Sequence, residues 1–168
     1  MTGTESAPAR EVAREVVGVL KTRTAFESAV AALADAGIGS GRLSVLSSHE
    51  SLAAAGDEGK HWRDVLTALV GEVKYEGPLV ASGLIVLAGG PTALALASVI
   101  GAAVGGVALK ELIDEVSAKP HTEDFARAVE AGSIILWVRV DDSDMENRAT
   151  EILISEDAEN VHAEPVKG

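Results

Sequence analysis

GPLVASGLIVLAGGPTALALASVIGAAVGGVAL, residues 77–109, runs without one charged side chain in a 168-residue chain whose formal net charge is −12. A helix that is apolar on every side must be buried, in a large core, in another subunit or in lipid. One domain of this size, with or without an insertion, is expected to be too small to surround such a segment unaided. Gly89-Gly90-Pro91 interrupts the run as a turn signature, so it reads as a helical hairpin with arms 78–88 and 92–109. At ~1.5 Å per residue the arms reach ~16 Å and ~27 Å, against a hydrocarbon core of ~30 Å. Neither arm is a comfortable membrane span.

The flanks fix the rest of the plan. Upstream, the β-branched run Val16-Val17-Gly18-Val19-Leu20 suits a buried strand. Thr24 with Glu27 predicts a capping box, Phe26, Val30 and Leu33 follow at helical spacing, and Gly37 sits at the C′ position. After the turn 37–41, Leu43-Ser44-Val45-Leu46 predicts a second strand. Downstream, SIILWVRV (133–140) is the strongest strand signal. Ser143 and Glu146 predict another capping box, ahead of Met145, Ala149, Ile152 and Leu153 on one helical face. Residues 161–166 alternate as an exposed edge strand would, with Pro165 tolerable only at an edge. Two β–α–β units predict an α+β, ferredoxin-like sandwich: a four-stranded antiparallel sheet with two helices, interrupted by the Gly/Ala-rich helical hairpin.

The expected organisation is a loose tail (1–10), a first βαβ half (11–47), a connector (48–61), an insertion (62–119) and a second half (120–168). The insertion opens with an amphipathic helix over 62–73, carrying Trp62, Val65, Leu66, Leu69 and Val73 on one side. Its second arm continues amphipathically through 110–116 to a stop at Pro120, after which Thr122 caps a short helix bearing Phe125 and Val129.

Within the second arm, Ala93, Ala97, Gly101 and Gly105 stand four apart, beside a parallel row of Ser98, Ala102 and Gly106. Residues four apart share a helix face, and a face without bulk lets another backbone approach closely. Glycine inside a helix costs ~1 kcal/mol relative to alanine, a loss that close packing can offset. The rows therefore predict an association stripe, toward a second copy of the chain or toward lipid.

Composition removes several function classes. An excess of 26 Asp+Glu over 14 Lys+Arg argues against nucleic acid, whose phosphates need clustered Lys and Arg. The absence of cysteine excludes a disulfide framework and a thiolate nucleophile. With no basic n-region or h-region at residues 1–16, a signal peptide is not expected and the default location is cytoplasmic, with peripheral or re-entrant membrane contact through the hairpin. His49, Asp57 and His61 on the connector are weak metal candidates, without the spacing of a rigid helical motif. Asp141-Asp142-Ser143-Asp144 lacks the sharp-turn glycine of a calcium loop and reads as acidic residues at a helix start. No nucleophile–base or paired-carboxylate arrangement is evident, so neither an enzyme nor a cofactor is expected. The expectation is a non-enzymatic interaction protein, with a soluble small-molecule or metal-binding module as the alternative.

The VVGVL strand followed by TAFESAVAALADAG, the Gly/Ala-rich centre and the returning FARAVEAGSIILWVRV resemble bacterial general stress proteins of unknown biochemical activity. In these a small β–α–β domain is interrupted by a glycine-rich hydrophobic segment. The resemblance covers roughly residues 14–166. It implies a stress-related role and membrane association, and supplies no functional residues.

Overall fold

The computed structural model describes residues 13–48, 66–79, 83–103, 106–117 and 121–166. β1 (Arg14–Leu20), α1 (Arg23–Asp35), a 3-10 turn (Ser40–Arg42) and β2 (Leu43–Ser48) form the first part. Helical residues 66–70 then lead into β3 (Val73–Leu79), β4 (Gly83–Gly89), α2 (Pro91–Ala102), α3 (Leu109–Asp114) and α4 (His121–Glu130). β5 (Ile134–Val140), α5 (Ser143–Ser155) and β6 (Glu159–Pro165) complete the chain.

The strands make one open sheet in the order β3-β4-β2-β5-β1-β6, every neighbouring pair antiparallel. The α+β class stands. The four-stranded ferredoxin-like sandwich does not: the sheet has six strands, because the apolar run supplies part of it. The described residues of its first arm are strand, not helix. Leu87 of β4 lies opposite Leu46 of β2 on one side and Tyr75 of β3 on the other, so β4 is an interior strand. An interior strand covered on both faces is a continuous apolar run, which periodicity alone does not separate from a short buried helix.

The two cores show why. On the first face Val16, Leu20, Val45, Val86, Leu136 and Val138 pack against Phe26 and Leu33 of α1, Leu66 and Val70, and Ala149 and Leu153 of α5. On the second face Val17, Val19, Leu46, Ile85, Leu87, Ile135 and Trp137 pack against Ala93 and Leu96 of α2, Leu109, Leu112 and Ile113 of α3, and Phe125 and Val129 of α4. The chain is thus three layers, helices–sheet–helices. The insertion contributes two strands to the middle layer and helices to the outer one. Burying a Leu, Ile or Phe is worth about 1.5–3 kcal/mol. Most of the described large apolar side chains of the run gain this within the chain, so its size did not forbid coverage. Val99 and Ile100 are half-buried, and Leu94, at 55% exposure, is the most exposed of them.

The strand-to-helix turn after β4 depends on glycine. Gly89 has φ +102°, and a Cβ there would lie 2.2 Å from the Leu43 carbonyl oxygen; one on Gly90 would lie 2.6 Å from that of Gly41. Gly90 N–H donates to Leu43 O at 2.8 Å, and Pro91 opens α2, where its missing N–H is no loss. Gly89-Gly90-Pro91 is a turn, as the sequence indicated, but between a strand and a helix.

Two predicted caps shift. Thr22, not Thr24, caps α1 by accepting from Ala25 N–H, and Asp142, not Ser143, caps α5 by accepting from Met145 N–H at 2.8 Å. Thr122 lies inside α4, which begins at His121. The upstream amphipathic helix has ended by Gly71 (φ +106°), and Val73 already belongs to β3. No described helix is long and apolar enough to cross a membrane.

Candidate functional site

One end of the second face is polar, and strand register builds it. Glu15 of β1 lies opposite Arg139 of β5 and opposite Glu164 of β6. The next row inward is His162, Val17, Trp137, Ser44 and Gly89, from β6 across to β4. Glu15 and Glu164 are 1% and 5% exposed. A buried carboxylate must be paired or hydrogen-bonded, and the inserted segment supplies the partners. Thr92 in the first turn of α2 donates from Oγ1 to Glu15 Oε2 at 2.7 Å, and Arg139 Nη2 donates to the same hydroxyl at 3.5 Å. Ser117, just past α3, donates from Oγ to Glu164 Oε1 at 3.0 Å.

His162 completes the corner. Its Nε2 lies 3.3 Å from Glu164 Oε2 and its Nδ1 2.8 Å from the Asn160 carbonyl oxygen. Its ring stacks on His121 of α4, centroids 3.9 Å apart, with Phe125 at 5.7 Å. Burial pushes the Glu15 carboxyl above its ordinary 4.5; the Thr92 hydrogen bond and the Arg139 charge pull the other way, and the Glu164 charge adds to the rise. Burial alone would lower His162, but the bonds to Glu164 and the Asn160 carbonyl outweigh it and hold the imidazole above 6.5.

A hydroxyl, a carboxylate and an imidazole here invite comparison with a hydrolytic triad. The order is wrong: the carboxylate stands between Ser117 and His162, so the imidazole cannot take the serine proton. Ser117 is also 1% exposed. This arrangement joins the sheet to the outer helical layer. A cleft of about 300 Å³ lies nearby, lined by Val19, Asp124, Ala128, Glu159 and Asn160, with Glu159 ion-paired to Lys21 at 2.7 Å.

The sequence reading missed this corner. Residues 161–166 alternate as expected, and β6 is an edge strand, but its polar side is not the solvent side. His162 and Glu164 face the sheet surface that the insertion covers. Glu15 was a visible signal, a carboxylate directly before the uncharged run Val16-Val17-Gly18-Val19-Leu20.

The predicted association stripe is divided. Ala93 is buried against the sheet and Ala97 half-buried, while Ser98, Gly101 and Ala102 are exposed. Ser98 Oγ donates to Leu94 O at 2.9 Å, and a Cβ on Gly101 would meet no atom within 4 Å. Gly106 is exposed beyond the helix end, with φ +98°. Gly105 lies outside the described residues, as do the metal candidates His49, Asp57 and His61. Among the described residues no group of three or more His, Asp and Glu side chains could hold a metal ion. Comparison of the chain with family models, with curated proteins and with solved structures returns no match.

Proposed function

We propose that the chain is a non-enzymatic interaction protein that self-associates through the outward face of α2. The observation that carries this is the composition of that face. Pro91, Leu94, Ala95, Ser98, Gly101 and Ala102 are all exposed and recur at helical spacing. None carries charge, in a chain at −12. Two copies of so acidic a molecule repel one another across most of their surfaces. A charge-free helix face is where they approach at least electrostatic cost, and its small residues let two helices come close. The same acidity opposes docking on anionic lipid, so a second copy is favoured over a membrane. The stress-related role and the cytoplasmic setting follow from the resemblance and the composition, and belong to the same proposal.

Light scattering of the purified full chain tests it. The wild type is expected as a dimer or larger species, and Ser98→Glu as a monomer. A Cβ on Gly101 meets no atom of its own protomer within 4 Å, so a fall in mass for Gly101→Leu reports on the contact between copies. A monomeric wild type, or a mass unchanged in both variants, refutes the reading. Flotation with liposomes of neutral lipid that is abolished by Ser98→Glu would assign the face to a membrane and refute self-association as its role.

A further inference from the structure

We propose that the Glu15–Glu164–His162 corner is a proton-operated fastening, holding α3 and α4 onto the sheet while the His162 ring is protonated and loosening them as it gives up that proton. It is independent of the self-association reading.

The geometry sets the proton count. A neutral imidazole offers one donor and one acceptor, while an imidazolium offers two donors. Both ring nitrogens of His162 face acceptors: Nδ1 faces the Asn160 carbonyl oxygen at 2.8 Å and Nε2 faces Glu164 Oε2 at 3.3 Å. Glu164 already accepts from Ser117 through its other oxygen. Both contacts are satisfied by the protonated ring against the ionised carboxylate. Losing that proton turns a ring lone pair toward an oxygen and leaves Glu164 beside Glu15 with one fewer cation.

The charged and titratable groups around the ring come from each packed element. Glu164 lies on its own strand, Glu15 on the neighbouring β1 and Arg139 on β5 beyond it. On α4, His121 lies flat against the ring, and Asp124 shares the cleft wall with Asn160. Carboxylates outnumber Arg139 here, and each of them favours a proton on His162.

The elements joined are specific. Glu164 and His162 belong to the sheet, whereas Ser117, at the end of the insertion, and His121 and Phe125 of α4 belong to the outer helical layer. The apolar contacts of Leu112, Ile113, Phe125 and Val129 with that face lie under the same cover. A change of protonation therefore acts on the packing of residues 109–117 and 121–130 rather than on the first-face core.

Since His162 stands above 6.5 when packed, its contribution is full below 6.5 and is lost as pH rises through the packed-state value. Linkage of one proton allows the opening equilibrium to change by at most about tenfold per pH unit. Amide hydrogen exchange of the full chain, normalised to intrinsic rates, reads this directly. Protection of residues 109–117 and 121–130 is expected to fall by up to about tenfold per pH unit above pH 6.5 and then level. His162→Gln should abolish the step. A flat wild-type profile, an equal step in His162→Gln, or an equal step in residues 134–140 overturns the proposal. A second readout needs no variant: the wild-type imidazole titration by NMR, in which a His162 midpoint at or below 6.5 refutes it.

Discussion

Gly89→Ala and Gly101→Ala place the same methyl group twice within one charge-free run, and the structure gives them opposite signs. At Gly89 the backbone is at φ +102° and the added Cβ lies 2.2 Å from Leu43 O and 3.0 Å from Val70 O. Both are backbone atoms and cannot rotate away. A left-handed conformation costs a non-glycine residue roughly 1–2 kcal/mol. Overpacking adds about 1–3 kcal/mol, for a total near 2–5 kcal/mol. In a chain of this length 1 kcal/mol moves Tm by about 2–4 °C, so Gly89→Ala should melt roughly 4–20 °C below wild type. Gly101 lies in the last turn of α2 with no atom within 4 Å of its Cβ position. Alanine there gains at most about 0.5–1 kcal/mol of helix propensity, a rise of about 1–4 °C. Thermal unfolding by circular dichroism on dilute samples is the assay. A helical hairpin would put Gly89 beside the end of one apolar helix and Gly101 within the other, with no reason for opposite signs. If Gly89→Ala melts with or above the wild type, the strand–turn–helix assignment is wrong.

Two further tests address other links. Asp142→Ala removes the side-chain acceptor of Met145 N–H and should cost about 0.5–2 kcal/mol, read as a lower urea midpoint with unchanged slope; an unchanged midpoint would refute that cap. Glu15, held above 4.5 by burial, contributes stability that is full below pH 4.5 and lost as pH rises through its packed-state value. Glu15→Gln should therefore lose less stability than wild type between pH 4.5 and 7 in urea unfolding, and parallel losses would show that this carboxyl is not the source.

The parts of the fold that could be read from the sequence are those whose signals are local. VVGVL and SIILWVRV are strands because β-branched and apolar residues cluster over a strand's length. α1 and α5 show helical spacing, and Gly37 adopts the left-handed conformation (φ +87°) that its position after α1 suggested. The caps slipped by one or two residues because Thr22, Thr24, Asp142 and Ser143 are all competent acceptors, and only the backbone path chooses among them. GLIVLAG was misread for a different reason. Covered on both faces and paired on both edges, it shows no alternation, and its two glycines and one alanine matched a close-packed helix as well. The better signal lay just before it: in Val73-Lys74-Tyr75-Glu76, apolar and charged residues alternate at the period of a strand. The polar corner was illegible for a non-local reason. Glu15, Arg139, His162 and Glu164 become neighbours only through strand order, and they become buried only because distant Thr92, Ser117 and His121 cover them.

Strand order also sets a timetable for synthesis. β2, β4 and β3 are close in the chain and can pair as soon as residue 89 has been made. β1, the first strand to emerge, pairs only with β5 and β6, so it waits for residues 134–165. Throughout that interval β1 has two unpaired edges and β2 has one, each a template for a neighbouring chain. β5 then enters between β1 and β2, and long-range pairing of this kind is slow. A nascent or truncated chain that stops before Ile134 holds β1 and the β3-β4-β2 part of the sheet without the strand that joins them, the form most exposed to aggregation.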